Sequence, residues 1–316
     1  MNRALGQPGK DVLPSWLLEI SGISPGNCQE PFLSRAAKMA EEAGASLGIQ
    51  IHPSLAREEV ERLRKLPWPK SLHLPVCSPF FINLATDELD FLAGQVREAR
   101  ERMEECGARV GLFHGFLLTP LRVPNDFKQY RRNLMAHVEA RYRYENSFIM
   151  SPEVFATPEY AGWLTRVRRG IAVLQQEAGG LEFCLENDFP GVGSGFSRPQ
   201  DLVACRGALL WVDFGHLWAA SLLHGFGFLE GLELLLQTGR VRGVHLHNNL
   251  LPPGTPPKNL ADHHTHLYLE SSVPLRQGVE MLWRYGVRHY TLEVAQVDLQ
   301  DVSCLVHWIR KIRRGG

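Results

Sequence analysis

Nine residues of the types that coordinate divalent cations occur along the chain, most of them in short apolar contexts. They are His73 in SLHLP, His114 in GLFHGF, Glu186 in CLENDF, Asp213 and His216 in VDFGH, His245 in GVHLHN, Asp262 and His264 in ADHHTH, and Glu293 in YTLEV. Taken singly, each has an ordinary explanation, since a lone histidine is more often a hydrogen-bonded core or rim residue than a ligand. The carboxylates say more. Glu186 and Asp213 each follow an apolar run, Leu209-Leu210-Trp211-Val212 in the second case. An ionised carboxylate there must be paired or coordinated, because desolvation costs several kcal/mol. Imidazole and carboxylate without thiolate suit Zn²⁺ first, then Mn²⁺ or Fe²⁺, whereas Mg²⁺ and Ca²⁺ prefer oxygen-only shells. Nine candidates exceed the roughly four ligands of one zinc, so two or three ions sharing carboxylates is the simplest count. Such a cluster lowers the pKa of a bound water to about 7 and clamps the attacking and leaving oxygens of a phosphate. Glu186 and Glu293 are the candidate catalytic carboxylates.

These residues need elements that bring them together. Eight β-rich runs alternate with longer amphipathic stretches: Trp16–Ile20, Leu47–Ile51, Ser71–Leu74, Arg109–Phe113, Leu181–Leu185, Leu209–Val212, Val241–His245 and Arg288–Glu293. Asp87–Glu105 and Pro274–Tyr285 are the clearest helical patterns, and Gly107 and Gly286 follow them as helix stops. Strand and helix in alternation predict a parallel α/β fold, and eight repeats predict a single closed (β/α)₈ TIM barrel. In that architecture the C-terminal strand ends converge on one face, where chemistry is found. His73, His114, Glu186, Asp213, His245 and Glu293 fall at the ends of six consecutive strands. No Lys or Arg ends a neighbouring strand to neutralise the acids.

Composition leaves this reading open and closes others. The 316 residues are 44% hydrophobic and 22% charged, which fits one large globular domain over 1–316. Net charge is +0, from 34 basic and 34 acidic residues, so there is no basic excess of the kind sequence-independent nucleic-acid binders show. Six cysteines lie scattered without a CxxC pair, which points to thiols in a reducing compartment. No apolar run approaches the about 20 residues of a membrane span, and MNRALGQPGKD lacks a signal core. A cytoplasmic protein without a membrane partner is expected.

One connection breaks the rhythm. His114 and Glu186 are 72 positions apart, about twice what a βα unit of ~30 residues needs. The extra material, 117–160, reads as a helical insertion on the barrel rim, either a solvated helix pair or a lid over an anionic or aromatic substrate. It carries Lys128, Tyr130, Arg131, Arg132, Arg141, Tyr142, Arg143 and Tyr144. The stretch Pro190-Gly191-Val192-Gly193-Ser194-Gly195 lacks the spacing of a nucleotide loop and reads as backbone a substrate can approach. Leu250–Leu260, rich in proline, reads as a further rim loop.

At these residues the sequence resembles the xylose isomerase-like TIM-barrel superfamily, and within it the endonuclease IV branch, the family 2 AP endonucleases. The matching pieces, in order, are LHLPVCSPFFINL, FHGF, LEND, DFGH, GVHLHNN, DHHTH and LEV. They run from His73 to Glu293, and only the ordered set is specific. The resemblance implies three zinc ions. His73 and His114 would bind the first, with Glu186 bridging to the second; Asp213, His245 and Glu293 would complete the second; His216, Asp262 and His264 would bind the third. It also implies phosphodiester hydrolysis by an activated water. The rim loops that read abasic DNA in that branch have no counterpart here, and the 117–160 insertion is foreign to it. A small-molecule or nucleotide-containing phosphodiester is therefore the expected substrate, with DNA an open alternative. A looser resemblance, through VDFGHL, VHLHNN and DHHTHL, is to the cobamide-remodelling phosphodiesterases.

The same barrel supports other chemistry. A sugar or sugar-phosphate isomerase or epimerase would hold one Mn²⁺ or Mg²⁺ on Glu186, Asp213, His245 and Glu293. Two carboxylates would then serve as acid and base beside a carbonyl, and His216 would bind substrate. It has no need of His73, His114, Asp262 and His264 together, which favours hydrolysis. A multinuclear iron oxidase and a non-catalytic binding protein are minor alternatives. His52, Asn187 and His247 are candidate substrate contacts. His263 and His266 are the register alternatives to His264. Trp218, Trp283 and Trp308 fit helix–barrel packing, and Arg310, Lys311, Arg313 and Arg314 read as a solvated helix end.

Overall fold

In the computed structural model, residues 16–126, 129–145 and 147–315 are described; Lys128 lies outside them. Eight parallel strands close into a barrel in sequence order. They are β1 Trp16–Ser21, β2 Ala45–Ile51, β3 Lys70–His73, β4 Val110–Phe113, β5 Glu182–Glu186, β6 Leu209–Asp213, β7 Val241–Leu246 and β8 His289–Leu292. All eight expected strands are present, with ends shifted by two residues or fewer. The helices are α1 Phe32–Glu42, α2 Arg57–Arg64, α3 Leu89–Cys106, α4 Tyr130–His137, α5 Pro158–Glu177, α6 Pro199–Ala204, α7 Phe214–His224, α8 Phe228–Leu236, α9 Leu275–Arg284 and α10 Leu299–Gly315.

Period-2 alternation divides each strand. Leu18, Ile20, Ile49, Leu72, Val212 and Val244 belong to the large apolar core that the helices cover. The opposite faces fill the barrel, and they are not uniform. β4, β5 and β6 contribute an apolar group, Leu112, Cys184 and Trp211. β1, β2, β3 and β8 contribute Glu19, Gln50, Ser71 and Thr291, all fully buried. Glu19 accepts from Ser71 Oγ at 2.8 Å, from Thr291 Oγ1 at 2.7 Å and from His289 Nε2 at 2.9 Å. Burying these polar groups is tolerable because each meets a partner.

The segment after β4 differs from a helix pair. Among its described residues it has one eight-residue helix, α4, and 3-10 turns at Ala140–Tyr142 and Pro152–Ala156, before α5 resumes the barrel pattern. Antiparallel bridges tie Ile149 to Gly191 and Leu117 to Ser194. The glycine-rich stretch therefore pairs with the insertion. A Cβ on Gly191 would stand 2.7 Å from the Phe148 ring, and one on Gly195 2.2 Å from Phe116. These glycines admit aromatic side chains close to the backbone, and Gly191 also lines the cavity at the barrel mouth.

No single helix among the described residues is long and apolar enough to cross a membrane. The apolar α7 and α8, bent at 120° to each other, bury Phe214, Leu217, Phe228 and Leu232. The basic end of α10 is not wholly solvated: Arg310 and Arg313 donate to the carbonyls of Glu42 and Ala43, at the C-terminal end of α1.

Candidate metal centre

The barrel mouth brings all nine candidates into adjoining groups whose potential ligand atoms lie within 4.8 Å of one another: His73–His114–Glu186, Glu186–Asp213–His245–Glu293, and His216–His247–Asp262–His264. Glu186, the last residue of β5, is shared by the first two. Its Oε1 is 2.5 Å from His245 Nδ1, and its Oε2 is 3.2 Å from His73 Nε2 and 3.5 Å from His114 Nε2. His245 Nδ1 is also 3.3 Å from Glu293 Oε2 and 3.7 Å from Asp213 Oδ2. In the outer group, Asp262 Oδ2 lies 3.1 Å from His216 Nε2 and 2.9 Å from His264 Nε2.

The local sequence explains these positions. Asp213 ends β6 and caps α7, accepting from the His216 backbone N–H at 2.6 Å. The spacing of DFGH is thus the spacing from a helix cap to its third residue, which places His216 beside the carboxylate. Asp262 and His264 stand on a loop held by the bridge between Asn248 and Thr265.

Most of the imidazoles are oriented from behind. His216 Nδ1 is 3.0 Å from the Asn187 carbonyl, His264 Nδ1 2.9 Å from the Glu293 carbonyl and His247 Nδ1 2.9 Å from the His263 carbonyl. His114 Nδ1 is 2.7 Å from Asp188 Oδ1. Each ring nitrogen facing a carbonyl carries the proton, so the other nitrogen presents its lone pair to the centre, as metal-binding histidines do. Asp188 is not among the residues that the sequence singles out. Only its place two residues beyond Glu186 in LENDF could have drawn attention to it.

Electrostatics reinforce the grouping. Burial alone would raise the pKa of Glu186, but His245 and His114 hold it well below the carboxylate range. Burial likewise opposes ionisation of Asp213 and Asp262, yet His216 with His247, and His264 with His216, hold both down. Conversely His245 rises to about 9, because Glu293 and Glu186 outweigh its burial, and His264 rises to about 10 beside Asp262. Among the described residues, no Lys or Arg forms an ion pair with Glu186, Asp213, Asp262 or Glu293; every partner is a histidine. Asp262 Oδ1 and Glu293 Oε1 are buried without a hydrogen-bond partner. Buried acceptors without donors, ringed by oriented imidazoles, are what divalent cations satisfy. The donor set fits such ions.

The other candidates separate. His52 is buried at the mouth, its Nε2 4.0 Å from Glu293 Oε1, and it forms a further group with His73 and Glu293. Asn187 does not line the cavity. Its amide donates to the Asp213 carbonyl at 2.9 Å and accepts from the Asp213 N–H at 2.7 Å, pinning β5 to β6. His247 is fully buried, with Nε2 3.1 Å from both oxygens of Asp213. It belongs to the ligand groups rather than to a substrate-contacting rim, because β7 continues through Leu246. His266 instead pairs with Asp301 of α10 at 2.8 Å, leaving His264 as the member of the pair.

Above these groups lies a cavity of about 780 Å³. His73, His114, His216, Asp262, His264 and Glu293 form its base, and Tyr130, Arg131 and Arg132 of α4 face them with Phe148 and Phe189. The Arg131 guanidinium lies 5.1 Å over the Phe148 ring.

The fold has counterparts. Superposition on solved structures gives a TM-score of 0.55 with a D-tagatose 3-epimerase-like protein, at 14% identity over 94% of this chain and 97% of that one. Endonuclease IV from Thermus thermophilus gives 0.51 at 16% identity, over 96% and 100%. A xylose isomerase domain protein from Planctomyces limnophilus gives 0.50 at 13%, over 96% and 98%. The fold shared with these proteins is a closed (β/α)₈ TIM barrel. At these identities the likeness concerns the fold alone, which an epimerase-like protein, an endonuclease and a xylose isomerase domain protein have in common. No protein-family model and no curated protein matches the sequence.

Proposed function

We propose that this xylose isomerase-like barrel is a metal-dependent phosphodiester hydrolase of the endonuclease IV-like type, holding two or three divalent ions, zinc in the first place. The observation that carries the reading is the pair of flanking groups around the central one. An epimerase needs only the four residues Glu186, Asp213, His245 and Glu293. Here His73 and His114 extend the centre next to Glu186, and His216, His247, Asp262 and His264 extend it next to Asp213. Shared carboxylates link them, Glu186 inward to His73 and Asp213 outward to His247.

When bound, such ions acidify a water and neutralise the phosphate oxygens. The chain's own groups bind, orient and exclude. Glu186 and Asp213, each fully buried, join the groups and fix their separation. Asp188 and the backbone carbonyls keep the imidazoles turned inward. Asp262, about one-fifth exposed, stands at the cavity base where a water can reach it. Arg131 and Arg132 of α4 line the same cavity, where they can meet a phosphate's charge. The cavity size suits a small-molecule or nucleotide-containing diester.

Turnover of bis-p-nitrophenyl phosphate by the zinc- or manganese-loaded protein, lost in Glu186→Gln, tests this. Isomerisation of a ketose without diester hydrolysis would favour the single-ion reading instead.

A further inference from the structure

The polar half of the barrel interior contains a directed chain of hydrogen bonds that ends on a metal-site imidazole. Glu19 on β1 accepts from the Ser71 N–H at 3.0 Å, Ser71 Oγ at 2.8 Å, Thr291 Oγ1 at 2.7 Å and His289 Nε2 at 2.9 Å. With that many donors converging on it, the carboxylate acts purely as an acceptor. The Ser71 hydroxyl therefore gives its one proton to Glu19, and its lone pairs are left to accept. Gln50 Nε2 donates to Ser71 Oγ at 3.2 Å. That contact fixes which way the Gln50 amide faces, because its oxygen must then point the opposite way. Ser21 Oγ donates to that oxygen at 3.4 Å, in agreement. Gln50 Oε1 lies 2.9 Å from His245 Nε2. An amide oxygen only accepts, so His245 Nε2 carries a proton and Nδ1 is the nitrogen turned to Glu186, Asp213 and Glu293.

We propose that Gln50, oriented through Ser71 by Glu19, is a positioning residue that makes His245 a metal ligand through Nδ1. This rests on the metal-centre reading above and adds to it the device that selects the ligand atom. Gln50 touches neither the cavity nor the carboxylates of the centre; it acts on His245 alone, from inside the barrel. Thr291 provides an internal control. It donates to the same carboxylate and is equally buried, but the path from Glu19 to His245 does not pass through it.

Zinc affinity of the full-length protein, measured by competition with a chromogenic chelator, is the first readout. Gln50→Met keeps the shape and removes the acceptor, and loss of an outer hydrogen bond to a ligand histidine costs about 10–100-fold in affinity. Ser71→Ala frees the Gln50 amide to turn over and lowers affinity in the same direction. Thr291→Val, which removes one donor to the same carboxylate and keeps the side-chain shape, changes zinc affinity by less than the about 10-fold lower bound for losing an outer partner of a ligand. The second readout is the ¹⁵N spectrum of the histidine rings in zinc-loaded protein, in which His245 shows a protonated Nε2 and a metal-shifted Nδ1. Equal zinc affinity in wild type and Gln50→Met, an affinity loss in Thr291→Val matching that of Ser71→Ala, or zinc on Nε2 of His245 overturns the inference while leaving the metal centre intact. Absence of zinc binding by the wild type overturns both.

Discussion

His114 and Asp188 form an imidazole–carboxylate pair at 2.7 Å, which turns the opposite ring nitrogen to within 3.5 Å of Glu186 Oε2. Asp188 is itself held, accepting from the Phe196 N–H at 3.0 Å. Asp188→Asn should therefore weaken zinc binding by about 10–100-fold, the usual cost of losing an outer partner. Its circular dichroism should match wild type. Zinc titration giving wild-type affinity would remove Asp188 from this role.

Gly215 lies under His247. A Cβ there would stand 1.9 Å from His247 Cε1, far inside any tolerable contact. Gly215→Ala must displace the imidazole and break its bond to Asp213, so metal content and diester turnover should fall together. Gly94, within α3, is the matched control, since a Cβ added there would meet nothing within 4 Å. Gly94→Ala should gain up to about 1 kcal/mol in stability and leave metal content unchanged. Comparing the two by thermal melts and metal analysis checks both statements.

The centre makes the metal-free protein pH-sensitive in a defined direction. His245 and His264 have folded pKa values raised to about 9 and about 10. Their contribution to stability is complete below the unfolded histidine value of about 6.5 and is lost as pH climbs through the folded values. Glu186 and Asp262 are depressed, so their contribution is present above about pH 4 and is lost on acidification. Chelator-treated protein should melt highest near about pH 5–6.5 and lose stability toward about pH 10. Zinc-loaded protein should lack the alkaline decline, because cations then replace the imidazole protons. Melting curves of both forms across that range give the comparison, and parallel profiles would contradict it.

The barrel itself was legible because eight apolar runs alternated with amphipathic stretches, with helix stops at Gly107 and Gly286, and Glu186 and Asp213 betrayed themselves by following runs such as Leu209–Val212. What escaped notice depended on direction rather than residue type. Whether Asn187 faced the cavity or the neighbouring strand turned on the strand's last step. His247 sits two residues past His245, and only the continuation of β7 to Leu246 puts it inside. Gln50 and Glu19 are single polar residues within apolar strands, and nothing local reveals which groups a barrel will bring together across its axis. The glycines of 191–195 kept their expected close approach, with Phe148 and Phe116 among the partners, and Gly191 also lines the cavity.

The outer group separates the two enzymatic readings. Asp262→Asn leaves the central four residues untouched. On the hydrolase reading it should cost more than the about 100-fold upper range for an outer-sphere partner, with the loss in kcat. A single-ion isomerase would retain most of its turnover. Initial rates over a range of diester and ketose concentrations decide between these outcomes.

The most direct test is the metal content of the purified protein, measured by plasma emission and normalised to chain concentration. Two or three equivalents of zinc, manganese or iron per chain are predicted, falling when Glu186 is changed to Gln. One equivalent or none, after incubation with excess zinc and removal of the unbound ion, would contradict a multinuclear centre at the barrel mouth.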